Sequence, residues 1–209
     1  MKKMIIPAII AKKQDELEEK ILKVKDFVEL IQLDFMDGKF VPNDSINFEF
    51  ILPDTNCKYE AHLMVEDPNS WVEKNHSKVD TILAHFESLD NPKETIELIK
   101  NKNKKTGFVI NPETKVDEIE EYLPSLDQVL IMTVKPGFYG SKFIPEMKDK
   151  IKKLRKIAPE IDIEVDGGIS DKTIELVDKA GANMFVSGSY IVKSDNVKKR
   201  VDTLKNLVG

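Results

Sequence analysis

Apolar, β-rich runs recur eight times along this chain, and amphipathic segments of helical period separate most of them. The runs cover residues 4–11, 30–36, 59–65, 81–86, 107–111, 128–134, 161–166 and 184–188. Helical periodicity is clearest over residues 15–24, 92–100, 148–157 and 171–180. Strands joined through helices run parallel, and a parallel sheet needs cover on its outer face. Eight such units within 209 residues favour an α/β fold closed into a (β/α)8 TIM barrel over an open doubly wound sheet. Residues 44–54 fit the repeat least, since Phe48, Phe50 and Ile51 permit only a short helix there. No linker or low-complexity stretch divides the chain, so residues 1–209 read as one domain.

Composition narrows the function classes. The chain is 41% hydrophobic and 33% charged, without an apolar run long enough to span a bilayer, so no membrane role is expected. Lys2 and Lys3 precede Met4, Ile5 and Ile6, but Pro7, Lys12 and Lys13 break that stretch, which does not read as a signal peptide. The single cysteine, Cys57, fits a reducing cytosol, and a cytoplasmic location is the expectation. A net charge of −5 argues against a general nucleic-acid binder. The lysine-rich run 148–156, with Met147, Ile151 and Leu154 at helical spacing, reads as the solvated face of a helix.

In a barrel of this kind chemistry gathers where the strands end, because loops there vary without disturbing the packed interior. Polar residues at the expected strand ends are Gln32, Asp34, His62, His85, Asn111, Asp166 and Ser189. Asp34 and Asp166 each close an apolar run and are followed by glycine-bearing turns. A buried carboxylate is costly unless a metal or a hydrogen-bond network stands beside it, so these two are candidates for a facing acid and base. His62, on the strand after Asp34, would add a nitrogen ligand for a metal. His85 fits a hydrogen-bonded core histidine equally well, and Asn111-Pro112 reads more readily as the start of the next helix.

Glycine supplies a second set. The turns Pro136-Gly137-Phe138-Tyr139-Gly140-Ser141, Asp166-Gly167-Gly168 and Ser187-Gly188-Ser189 follow the last three strands. Glycine lets backbone N–H groups approach an anion closely, and barrels often build a phosphate site after strands seven and eight. Gly137, Gly140, Ser141, Gly167, Gly168, Gly188 and Ser189 are therefore candidate phosphate contacts.

With these residues in place, the chain resembles the ribulose-phosphate 3-epimerase family along nearly its whole length. The resemblance is carried by Asp34-Phe35-Met36-Asp37-Gly38-Lys39-Phe40-Val41-Pro42-Asn43, His62-Leu63-Met64-Val65, Met132-Thr133-Val134-Lys135-Pro136-Gly137-Phe138 and Val165-Asp166-Gly167-Gly168-Ile169. It implies a (β/α)8 barrel of the ribulose-phosphate binding type and inversion at C3 of D-ribulose 5-phosphate to give D-xylulose 5-phosphate. It further implies that Asp34 and Asp166 face opposite sides of the substrate as base and acid, and that Met36, Met64 and Met132 line the site with His62. It implies a divalent cation (Zn, Mn, Fe or Mg) held by two histidines and two aspartates, a sugar phosphate as the small-molecule partner, and a homo-oligomer. The chain also departs from the family pattern. Gln32 stands where the first metal histidine is expected, Ala8 where a substrate-binding serine is usual, and Tyr139 and Ser141 where a glycine and a glutamine occur. The expected metal set is thus Asp34, His62 and Asp166, with Gln32 as a poorer fourth ligand. Two other readings remain open: an epimerase for another ketose phosphate, such as a hexulose 6-phosphate, and a sugar-phosphate binding protein without turnover.

Overall fold

The computed structural model describes residues 1–137 and 141–209. Its strands are β1 (Met4–Ile6), β2 (Ala8–Ile9), β3 (Leu30–Asp37), β4 (Asp44–Ser45), β5 (Lys58–Met64), β6 (Thr81–His85), β7 (Lys105–Ile110), β8 (Gln128–Met132), β9 (Asp162–Asp166) and β10 (Met184–Val186). The helices are α1 (Gln14–Val24), α2 (Pro68–Asn75), α3 (Pro92–Asn101), α4 (Met147–Ile157), α5 (Ile174–Ala180), α6 (Ser189–Val192) and α7 (Val197–Val208). A run of 3-10 turns, Val116–Ser125, takes the helical place between β7 and β8.

All pairings in the order β1-β10-β9-β8-β7-β6-β5-β3-β2 are parallel. The sheet closes through the first expected strand. Pro7 has no N–H to give and splits it: β1 pairs with β10, β2 pairs with β3, and the Pro7 carbonyl accepts from the Gln32 N–H at 3.0 Å. The eight expected runs thus form the barrel wall, the first of them in two pieces.

Alternation along each strand sorts side chains into two cores. Ile31, Leu33 and Phe35 of β3, Ala61 and Leu63 of β5 and Ile163 and Val165 of β9 face outward into the layer shared with the helices. Their neighbours Gln32, Asp34, Glu60, His62 and Glu164 point into the barrel and are buried there. The amphipathic helices supply the cover, with Leu17, Ile21 and Val24 of α1 and Ile151 and Leu154 of α4 buried. Most lysines of α4 face solvent as expected, but Lys150 is half-buried. It donates to the carbonyls of Asn111, Pro112 and Thr114.

Residues 44–54 form no helix. The two-residue strand β4 pairs antiparallel with β3, Ser45 Oγ accepts from the Ala11 N–H at 3.1 Å, and Phe50 packs on Phe35 with ring centroids 5.2 Å apart. Anchored at both points, the segment has no need of intrahelical bonds. Among the described residues no helix is long and apolar enough to cross a membrane.

Candidate active site

β3 and β5 run side by side in a register that sets Asp34 opposite His62, while β9 brings Asp166 beside Met132 of β8. Inside the barrel these side chains converge. His62 Nδ1 lies 3.1 Å from Asp34 Oδ1 and 3.4 Å from Asp166 Oδ2. Gln32 completes the group from below: its Nε2 donates to Asp34 Oδ1 and to Asp166 Oδ2, both at 2.8 Å, and lies 3.3 Å from His62 Nδ1. Candidate ligand atoms of Asp34, His62 and Asp166 all lie within 4.8 Å of one another, the spacing a single cation needs.

Burial governs the electrostatics. It pushes the Asp34 carboxyl up; a hydrogen bond from His62 opposes this, and the charge of Asp166 adds to it. For His62 burial works downward, but hydrogen bonds to Asp166 and Asp34 outweigh it and raise the imidazole to about 9. Such a ring carries a proton at neutral pH, and a cation bound at Nδ1 would take that proton's place. His85, shielded from solvent and facing charged His62, is pushed down to about 4 and is neutral.

The donor set fits a divalent cation. Two carboxylates and an imidazole form the expected core of such a site, and the fourth position is the informative one. Gln32 Oε1 is buried without a hydrogen-bond partner among the described residues, while Nε2 occupies the space among three lone-pair donors. Turning the carboxamide over would bring that orphaned oxygen to face the cation, giving a site rich in hard oxygen donors.

A cavity opens above this group. Asp34, His62 and Asp166 form its floor, and Met36, Met64 and Met132 line its wall. The methionines also pack: Met36 and Met64 form a cluster with Val41 against Ile10 and Phe40. Asp37 fixes the loop that carries Phe40 and Val41, accepting from the N–H groups of Lys39, Phe40 and Glu66 at 2.9, 3.0 and 2.7 Å. Ala8, Gly137, Ser141, Gly167, Gly188 and Ser189 line the same cavity. Gly168 is set back, its α-carbon turned to Phe143, and Gly140 and Tyr139 lie outside the described residues. Gly167 adopts φ +118°, and a Cβ there would meet Val134 Cγ2 at 2.4 Å, so the turn after β9 requires glycine.

Three acids escaped the sequence reading: Glu60 and Glu164, which are fully buried, and Glu87, which is partly exposed. Glu60 and Glu164, two residues before His62 and Asp166 on their strands, share Gln128 Nε2 at 3.3 and 2.7 Å inside the barrel. Glu87 holds the Nδ1 of buried His85 at 3.2 Å. Alternation does predict Glu60 and Glu164 as inward-facing once Asp34 and Asp166 are taken as pointing in; Glu87 has no such signal.

A closed parallel barrel with an acid pair and a ligand-competent histidine inside one mouth defines a class of α/β-barrel enzymes. Within that class the chain belongs to the ribulose-phosphate 3-epimerase family, which matches residues 4–192. A ribulose-phosphate 3-epimerase of Bacillus subtilis is 37% identical over 211 residues, covering 96% of this chain and 97% of that protein. One from Eremothecium gossypii is 34% identical over 224 residues, covering 100% and 94%. Among solved structures, 3-keto-L-gulonate-6-phosphate decarboxylase from Vibrio cholerae aligns with a TM-score of 0.71 at 12% identity, covering 100% of this chain and 98% of that one, a likeness of fold alone.

Proposed function

We propose that this protein is a ribulose-phosphate 3-epimerase that interconverts D-ribulose 5-phosphate and D-xylulose 5-phosphate. One observation carries the reading: Asp34 and Asp166 both lie 2.8 Å from one Gln32 nitrogen, at the floor of a cavity in a chain of that family. Epimerisation at C3 removes a proton next to the C2 ketone and returns one to the opposite face. It therefore needs two acid–base groups and one proton between them. Burial and the charge of Asp166 favour the protonated form of Asp34, with the His62 hydrogen bond opposing. One carboxyl of the pair then holds a proton while the other accepts the one from C3, and the roles exchange in the reverse direction.

Asp34, His62 and Asp166, with Gln32 Oε1 as a fourth ligand, would hold a divalent cation, whether Zn, Mn, Fe or Mg. Bound there, the cation would supply positive charge to the oxygens of the enediolate. Met36, Met64 and Met132 shield the reacting carbon from water. Gly137, Ser141, Gly167, Gly188 and Ser189 are the candidate phosphate contacts on the cavity side lined by the glycine turns; Gly140 and Gly168 belong to the same turns. The same reading takes residues 1–209 as one domain of a cytoplasmic homo-oligomer acting on a sugar phosphate, with no nucleic-acid or membrane partner.

Incubation of the protein with D-ribulose 5-phosphate in D₂O is expected to place deuterium at C3, detected by NMR. Asp166→Asn keeps the shape and loses the proton-accepting charge, so exchange should fall by about 10²–10⁴-fold. Ala8 leaves a methyl group on the cavity wall, so a hexulose 6-phosphate belongs in the same assay. No exchange into either sugar phosphate, with Mn²⁺, Zn²⁺ or Mg²⁺ added, would leave only ligand binding.

A further inference from the structure

Behind the candidate metal ligands a chain of polar side chains leads away from the cavity, through His85 and Glu87, neither of which lines it. It begins at the second nitrogen of His62. Nδ1 faces the two aspartates, but Nε2 lies 3.0 Å from Nε2 of His85 on the adjacent strand β6. His85 Nδ1 lies 3.2 Å from Glu87 Oε2. The other carboxylate oxygen, Glu87 Oε1, accepts from the Asn111 backbone N–H at 2.8 Å and from the Thr114 hydroxyl. Both imidazoles are fully shielded from solvent, and their planes are inclined by only 22°.

Donor and acceptor requirements fix the direction of every bond in this chain. A carboxylate only accepts, so His85 donates from Nδ1. A neutral imidazole has one N–H, so Nε2 of His85 accepts. Two nitrogens 3.0 Å apart need one hydrogen between them, and it must therefore sit on Nε2 of His62. The Nδ1 of His62 is then the nitrogen that can present a lone pair to the centre.

We propose that Glu87 and His85 are positioning residues that lock His62 in the Nε2–H tautomer, so that Nδ1 faces a divalent cation shared with Asp34 and Asp166. The inference rests on the metal centre put forward above. Carboxylates behind ligating histidines do this in other metal sites, and their removal weakens metal binding by about 10–100-fold. Here the carboxylate acts through a second histidine.

Glu87→Gln tests the direction of the chain with little change in shape. The Asn111 N–H can only donate, so it will hold the carboxamide oxygen of the new side chain. The NH₂ group then faces His85, which must accept at Nδ1 and donate from Nε2. His62 in turn must accept at Nε2 and carry its proton on Nδ1, where it blocks the cation. Calorimetric titration of metal-stripped full-length protein with Zn²⁺ and with Co²⁺ should show binding about 10–100-fold weaker in Glu87→Gln than in wild type, at an unchanged circular-dichroism spectrum. Equal affinities would overturn the relay while leaving the metal centre standing; no binding by wild type would overturn both. A two-bond ¹⁵N–¹H spectrum of zinc-loaded wild type decides the matter even if the variant fails to fold. Protons on His62 Nε2 and His85 Nδ1 are expected, and a proton on His85 Nε2 would sink the proposal.

Discussion

Gln32 stands where the family resemblance leads one to expect a metal-binding histidine, and its position shows what a glutamine does there. As an amide it donates one N–H to each aspartate, tying Asp34 and Asp166 together without a cation, and leaves Oε1 unpartnered among the described residues. An imidazole there would be a better ligand for zinc than a carboxamide. Gln32→His is expected to tighten zinc binding by at least about tenfold, measured by competition with a chelator. Unchanged affinity would mean that position 32 does not reach the ion. At this scale much of the centre was legible. Asp34 and Asp166 stood out because each closes an apolar run with a carboxylate, and His62 because it offers a nitrogen ligand on the strand next to Asp34. Glu87 did not, because a glutamate one turn past a strand, in Phe86–Ser88, looks like any surface acid. Only its three hydrogen-bond partners, which burial opposes and together outweigh in holding its pKa low, mark it out.

At the scale of elements, strands were read well and the connections less so. Period-two alternation in β3, β5 and β9 is imposed by the pleat, so inward and outward faces follow from sequence once one residue is placed. Residues 44–54 lacked a clear period, and their shape depends on contacts with Ala11 and Phe35, which are remote in sequence. β7 shows how strand packing can restrict a single position. Gly107 points into the barrel, where a Cβ would meet the Gln128 carbonyl oxygen at 2.7 Å and Leu83 Cδ2 at 2.7 Å. A backbone oxygen cannot rotate away as a side-chain end can. Gly107→Ala should therefore destabilise the fold by about 1–3 kcal/mol, read as a fall of several degrees in the melting midpoint. A midpoint equal to that of wild type would show that β7 and β8 separate at little cost.

The molecule as a whole keeps two further acids in its interior. Burial raises Glu60 to about 7, and raises Glu164 well above the usual carboxylate range, with the charge of Glu60 adding to the effect on Glu164. In the unfolded chain a glutamate titrates near 4.5. Glu60 therefore contributes stability that is complete below pH 4.5 and is lost as pH rises through about 7, on the order of 3 kcal/mol. Glu60→Gln, neutral throughout, should lose that slope. Relative to wild type, its urea midpoint should be higher at pH 8 than at pH 5, and a pH-independent difference would contradict the assignment.

The chain order of strands and helices determined the barrel, because alternating periods of two and 3.6 residues leave few other ways to bury both kinds of apolar face. Sequence also determined which carboxylates stand at strand ends. The tertiary structure alone decided which polar groups meet. Gln32, Asp34, His62 and Asp166 come from three strands, and their hydrogen bonds depend on the shear and closure of the barrel, which Pro7 effects by passing one strand between two partners. The reach of Glu87 to His85 was settled in the same way, by the packing of neighbouring loops. Local periodicity carries no information about distances across a barrel, since those distances arise only when every strand has found its neighbours.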